Sequence, residues 1–453
     1  MRLRFALGDK ATDVALPAHA PLVDLLPVIL TQFGTEWVEQ GADHEGWVVQ
    51  RVGGPPLDED RTPAELELLD GETVHLRPRA DRLAAIDYDD LVDGVGEQVR
   101  EHPGAWRPAH TRWMFRVGAA LALLLGAVLL PTTGAGAAQA VTALVVAVLL
   151  LAGGALVARG AGDPQTAVVL AGVAACYGGL GGSLVVRVFD PGAAAPVHAT
   201  VALAVALLVL TTGVVAVADA STLFTGGIMF AAVTALTGLI ASATAVLPHQ
   251  AAAIGLLIAL VVGVFVPATA FRLSGLTLPM LPTGADELGQ DIDPVPARVV
   301  VERGALTAGY SMALHAGLGA ALAVLLPVLV ADGGTWSVVL SLVVAFLLVL
   351  RSRHPSGVVE RWSVLVPAIV CVAGCVRLAA AAQTGLGGLF LVCVPLVVAG
   401  VVLLLAGRVF PGKRQRPYWG RAVEILESVT AVAVVPILLQ VLGVYAWMRG
   451  LAG

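Results

Sequence analysis

The sequence predicts an α-helical polytopic membrane protein of about eleven spans, preceded by a small α+β head. Three observations carry that prediction. Hydrophobic residues make up 57 % of the 453 and charged ones 13 %, whereas soluble globular chains are nearer half apolar and a quarter charged. The 51 glycines suit transmembrane helices, which approach closely where small residues line their contacts. The charge is also uneven: residues 1–80 hold 7 Lys/Arg and 14 Asp/Glu, a balance of −7, while 81–453 hold 20 and 19. The net −6 thus belongs to the head, and nucleic acid, which needs clustered base, is not expected as a partner.

The head (residues 1–80) reads as strand, strand, helix, strand, strand. Residues 2–8 (RLRFALG) and 12–17 (TDVALP) alternate as strands around the turn chemistry of Gly8-Asp9. Leu22, Leu25, Leu26, Ile29, Leu30 and Phe33 then fall at helical spacing and stop at Gly34. Pro27 within that run is expected in a first turn or at a bend. WVVQRVGG (47–54) and TVHLRPR (73–79), the latter after an Asp70-Gly71 turn, supply the remaining strands. This order in so short a chain is the β-grasp, or ubiquitin-like, plan; another small α+β fold is the alternative. The N-terminus is mixed and charged, with no signal peptide visible, so the head is expected in the cytoplasm.

Residues 81–111 join head to membrane. Tyr88, Leu91, Val92, Val95 and Val99 share one helical face, with Asp87, Asp90, Asp93 and Glu97 on others, which reads as an amphipathic juxtamembrane helix. Its acids would repel anionic lipid, so packing on protein is expected. Residues 112–453 hold the spans, each needing about 20 apolar residues: 113–130, 138–158, 166–186, 198–218, 223–246, 250–271, 305–330, 336–351, 362–382, 386–407 and 424–447. With residue 112 inside, the inside loops carry 12 Lys/Arg and the outside segments 2, Arg187 and Arg449. That asymmetry puts the N-terminus and the 272–304 loop in the cytoplasm and the C-terminus outside.

Little within the spans points to chemistry. His315 and Arg377 are the ionisable residues at membrane depth. His315 is expected as a hydrogen-bonded neutral imidazole, with a proton relay as the alternative; Arg377 lies about one turn from a span end and can snorkel. Cys371 and Cys375 share a helix face, half of a metal or redox site at most, and otherwise small buried hydrophobes. GGLGGS (178–183) lacks the lysine of a phosphate loop and fits close helix packing. No catalytic, cofactor or metal site is expected.

The loop LTLPMLPTGADELGQDIDPVP (276–296) differs from its surroundings. Pro279, Pro282, Pro294 and Pro296 restrict its backbone, so neither helix nor central strand is expected. A flexible linker would be richer in Gly and Ser, and a pinned segment loses less entropy on binding. The acids Asp286, Glu287, Asp291 and Asp293 need cations, with Arg298 and Arg303 nearby and Arg414 and Arg416 in the basic loop 408–421 as candidates. These residues are the expected docking site for a partner or for neighbouring loops; a solvated connector is the alternative.

The ordered combination resembles the EccD family, the polytopic membrane component of actinobacterial type VII secretion systems. The resemblance runs through WVVQRVGGPPLDEDRTPAELELLDGETVHLRP (47–78), YDDLVDGVGEQV (88–99), FRLSGLTLPMLPTGADEL (271–288) and VVVERGALTAGY (299–310), and covers essentially the whole chain. It implies a non-catalytic scaffold, forming dimers in the inner membrane beside the ATPase component EccC and the EccB and EccE components. The rival from residues alone is a secondary transporter with a regulatory head. A transporter is expected to show internal repeats, interrupted helices and intramembrane charges.

Overall fold

In the computed structural model the chain forms two compact units, Met1–Arg107 and Pro108–Gly453. The structure describes residues 1–8, 10–34, 37, 46–51, 56–78, 106–217, 221–244, 246–276, 297–331, 334–383, 385–409 and 417–452. The expected amphipathic helix of the linker lies outside the described residues.

In the first unit, β1 (Arg2–Leu7) and β2 (Lys10–Ala15) pair antiparallel, Arg2 opposite Ala15 and Leu7 opposite Lys10. Gly8 takes a left-handed turn conformation between them. Helix α1 (Leu22–Phe33) follows, then β3 (Trp47–Gln50) and β4 (Thr73–Pro78). The sheet order is β2-β1-β4-β3, with β1 and β4 parallel and the outer pairs antiparallel. First and last strands side by side at the centre, with one helix across the sheet, is the β-grasp arrangement. The helical spacing read from the sequence is the buried face of α1: Leu22, Leu25, Leu26, Ile29, Leu30 and Phe33 pack on Leu3, Phe5, Val49 and Val74. Pro27 sits at the sixth helical position, beyond the first turn, on the exposed face. There its missing N–H deprives only the Val23 carbonyl, which faces water.

Polar contacts close the head around this core. Trp47 donates its indole N–H to the Trp37 carbonyl (2.9 Å) and meets the Trp37 ring edge-to-face. Arg51 pairs with Glu72 (2.6 Å) and donates to the Leu66 and Glu67 carbonyls. The hydrogen bond between them raises the Arg51 pKa and lowers that of Glu72.

The second unit is a helical bundle: α2 (Pro108–Leu129), α3 (Ala137–Gly160), α4 (Pro164–Phe189), α5 (Ala195–Val217), α6 (Ser221–Ala243), α7 (Pro248–Leu273), α8 (Ala297–Ala331), α9 (Thr335–Arg351), α10 (Val358–Ala381), α11 (Gly385–Val409) and α12 (Pro417–Val441). Among the described residues ten of these contain a stretch long and apolar enough to cross a membrane, and α9 is a shorter apolar helix of 17 residues. At a rise of about 1.5 Å per residue α9 reaches about 25 Å, just under the ~30 Å hydrocarbon layer.

Several boundaries differ from those expected. The first span begins at Pro108 rather than 113, so residues 108–111, counted with the linker in the sequence, already belong to α2. The last begins at Pro417 rather than 424, and three more differences lie in α8, in α10 and after α12. Helix α8 starts at Ala297 rather than 305, so the second part of the 272–304 loop is helical, and its 35 residues extend about 52 Å, well beyond the bilayer core. Helix α10 starts at Val358, four residues early, because Glu360 accepts the Gly357 amide and caps it. The last span stops at Val441, where Gly443 turns the chain with φ +75, and α13 (Val444–Ala452) follows as a separate helix with Trp447, Met448 and Leu451 exposed.

Helix α8 is the hub. Leu314, Leu318, Leu322, Leu325, Leu326 and Leu329 are all buried, and the helix packs on α6, α7 and α10, with a lighter contact to α9. The glycine faces act as expected within the chain: a Cβ on Gly178 would lie 2.9 Å from Val209, and one on Gly182 would lie 3.0 Å from the Val201 carbonyl. Gly385, by contrast, opens α11 with positive φ and faces open space.

Asp163 caps α4, accepting from the Thr166 hydroxyl (2.6 Å) and amide (3.1 Å), while Arg116 reaches it at 2.9 Å. These contacts, Thr166 first, lower the carboxyl pKa to about 2. The folded value lies below the unfolded one of about 3.9, so the stabilisation is complete above that pH and is lost as pH falls toward the folded value. Asp163→Ala is expected to cost about 1 kcal/mol at neutral pH. Thermal unfolding in detergent should show the gap to the parent protein closing in strong acid.

Candidate functional site

Arginines at the helix ends expected to face the cytoplasm each tie neighbouring helices together. Arg116 joins α2 to the start of α4 through Asp163 and Thr166 (2.9 Å each) and stacks over Trp113. Arg159 donates to the Val215 carbonyl at the end of α5 (3.3 Å). Arg303 reaches back to the Ser274 carbonyl (2.8 Å), and Thr307 bonds the buried Ser274 hydroxyl (2.8 Å). The guanidinium thus sits on the carbonyl end of α7, where the helix dipole favours a cation.

Of the docking residues expected from the sequence, the structure places Arg303 at the exit of α7, where the 277–296 segment begins. Arg298 lies in the first turn of α8, and nothing is described of its side chain. Pro279, Pro282, Asp286, Glu287, Asp291, Asp293, Arg414 and Arg416 lie outside the described residues. Arg377 is exposed, four residues from the end of α10. Cys371 is buried and donates its thiol to the Ser341 carbonyl (3.3 Å), tying α10 to α9.

Two carboxylates that the sequence reading passed over organise the same set of helix ends. Glu427 in α12 accepts from Arg353 (3.1 Å) and sits 2.9 Å from His354 Nε2, with Arg351 at 3.7 Å. It therefore gathers the three basic residues of the RSRH run at the end of α9. Glu360, 8 % exposed, accepts from Gly357 and from the Ser311 hydroxyl of α8. His315, one turn deeper, has Nδ1 2.9 Å from the Ser311 carbonyl; a carbonyl only accepts, so Nδ1 carries the proton. Glu360 shares Ser311 with His315 because α10 begins early enough to take the glutamate into its first turn. A signal was available: a carboxylate inside an apolar helix, as at Glu427, marks a site by default. Both carboxylates and His315 line a cavity of about 880 Å³ between α7, α8, α9 and α10, with Glu427 of α12 at its edge.

The head offers a second surface. By register, Arg2, Arg4, His75 and Arg77 lie on the sheet face turned away from the core, and the three arginines are exposed. Asp58, Asp60, Glu65, Glu67 and Asp70 are exposed in the 56–72 connection. The net-acidic head thus presents exposed cations on its sheet, with Asp13 opposite Arg4 on the same face, and exposed acids in the 56–72 connection.

A β-grasp head and an apolar bundle whose salt bridges, among the described residues, lie at one end define a multi-pass membrane protein. Comparison with known proteins gives this class its family. The EccD-like transmembrane domain family matches residues 111–451, and the WXG100 protein secretion system protein YukD family matches residues 1–76. The chain is 25 % identical to the ESX-4 secretion system protein eccD4 of Mycobacterium tuberculosis, across 99 % of this chain and 97 % of that one. Its fold resembles a chain of the MycP5-free ESX-5 inner membrane complex, State II (TM-score 0.67, 18 % identity, 89 % of this chain and 98 % of that one). It also resembles protomer 1 of the ESX-3 core complex (TM-score 0.60, 18 % identity, 98 % and 99 %). The chain belongs to the EccD family, the polytopic inner-membrane component of type VII secretion systems.

Proposed function

We propose that this membrane component works as a scaffold that does no chemistry itself and docks the secretion ATPase through its head and its α7–α8 loop. The observation that supports this most strongly is the pairing of a separately folded head with a bundle matched along its length by the EccD family. In this reading the EccC ATPase and the EccB and EccE components are partners, and two copies of the chain pair in the membrane. The family match sets aside the transporter reading. The 277–296 segment is the strap, its acids meeting cations at the arginine-rich end, with Arg303 fixing where it starts.

Orientation is part of the proposal. The 12-to-2 distribution of Lys/Arg puts the arginine-rich end, the head and the strap in the cytoplasm and α13 outside. The test replaces the four native cysteines and adds single ones. Cysteines at Thr133 and Gly334 should react with an impermeant reagent applied outside, and ones at Ala161 and Ser356 should react only after permeabilisation. Inverted labelling would overturn the orientation and, with it, docking to a cytoplasmic ATPase.

A further inference from the structure

We infer that the cavity between α7, α8, α9 and α10, edged by Glu427 of α12, is a binding site for a zwitterionic phospholipid whose head group carries a primary ammonium. At about 880 Å³ the space falls in the range of small-molecule sites, which run to about 1,000 Å³. Its walls are mostly apolar, with Val264, Pro267, Leu318 and Leu322 among them, and these suit an acyl chain.

The polar groups are few and unequal. Glu360 is more than nine-tenths buried and has only neutral donors, the Ser311 hydroxyl and the Gly357 amide; no salt bridge to it is found among the described residues. A buried carboxylate without a counter-charge is costly, and a cation from outside relieves it. His315 Nε2, with Nδ1 committed to the Ser311 carbonyl, adds an acceptor in the same space. On the same cavity, Arg351 and His354 supply cationic and donor capacity. Arg351 is held only loosely, 3.7 Å from Glu427 and 3.4 Å from the Leu260 carbonyl, and can turn to a phosphate. Glu360 for an ammonium and Arg351 for a phosphodiester put on one cavity the two opposite charges that complement an ethanolamine head group. An anionic lipid without the amine would place negative charge beside Glu360.

The test is native mass spectrometry of the delipidated full-length protein titrated with phosphatidylethanolamine, phosphatidylglycerol or soluble O-phosphoethanolamine. Phosphatidylethanolamine should bind about tenfold more tightly than phosphatidylglycerol, a difference near 1.4 kcal/mol, and the soluble head group alone should bind far more weakly. Glu360→Gln keeps the cap geometry and should erase the preference; Glu360→Asp should restore part of it. Gly304→Phe projects into open space at the cavity wall and should weaken both lipids. Each variant must elute as the parent does. Equal affinity for the two lipids, a preference that survives Glu360→Gln, or equal binding of the soluble head group would overturn the assignment.

Discussion

Leucine at Gly317 or Gly319 is expected to abolish recovery of a monodisperse protein. A Cβ at Gly317 would lie 2.1 Å from the Gly226 carbonyl oxygen, and one at Gly319 would lie 2.1 Å from that of Ser363. Neither obstacle is a side chain that can swing away. Both are helix backbone, so α6 or α10 would have to leave the hub helix α8. The crossing at Gly226 is reciprocal, since a Cβ there would meet the Ala313 carbonyl at 2.7 Å. Ordinary overpacking costs about 1–3 kcal/mol; displacing a helix also opens the leucine core of α8, so the loss should exceed that range. Gly172→Leu is the control, because that glycine faces open space. Size-exclusion profiles in mild detergent decide the matter: a symmetric peak at parental yield for Gly317→Leu would mean that the α6–α8 approach is wrong.

Deleting residues 1–80 is expected to have the opposite character, with an intact bundle and a complete loss of export. The head closes its own core, from Phe5 and Val74 to Ile29, and the bundle buries separate clusters of its own. Insertion and packing of the spans should therefore survive. Co-purification of the ATPase should not. If the charge of the head guides that encounter, the association rate of the full chain should fall with added salt while the packed complex dissociates little faster. Export assayed in cells carrying only the truncated chain checks the functional half. Export at the parental level would show that docking runs through other surfaces.

The reach of the sequence differed between the two units for physical reasons. In the head, the period-2 pattern coincides with burial in β1 and β4 and the period-3.6 pattern in α1, so Leu22 to Phe33 identified both the helix and its inner face. In the bundle, hydropathy marks the helices well, because lipid and core select the same side chains. It cannot say which face meets lipid, and so the hub role of α8 was not legible. Nor were the polar contacts. Glu360 looked like a loop residue because the apolar run after it begins at Trp362, while the helix begins at Val358, where the glutamate itself supplies the cap. Glu427 was legible as a carboxylate inside an apolar run, but its partners were not, because Arg351, Arg353 and His354 arrive from a helix end more than 70 residues earlier. The glycines were legible as packing residues, yet which ones bear on backbone depends on a crossing that only the fold provides.

The most direct measurement is quantitative mass spectrometry of what purifies with the tagged chain from native membranes, with and without residues 1–80. The account predicts that the full chain brings down the ATPase and the other membrane components in fixed ratio. The truncated chain should keep its own pairing and lose the ATPase. A full-length chain recovered alone, or an ATPase retained without the head, would contradict it.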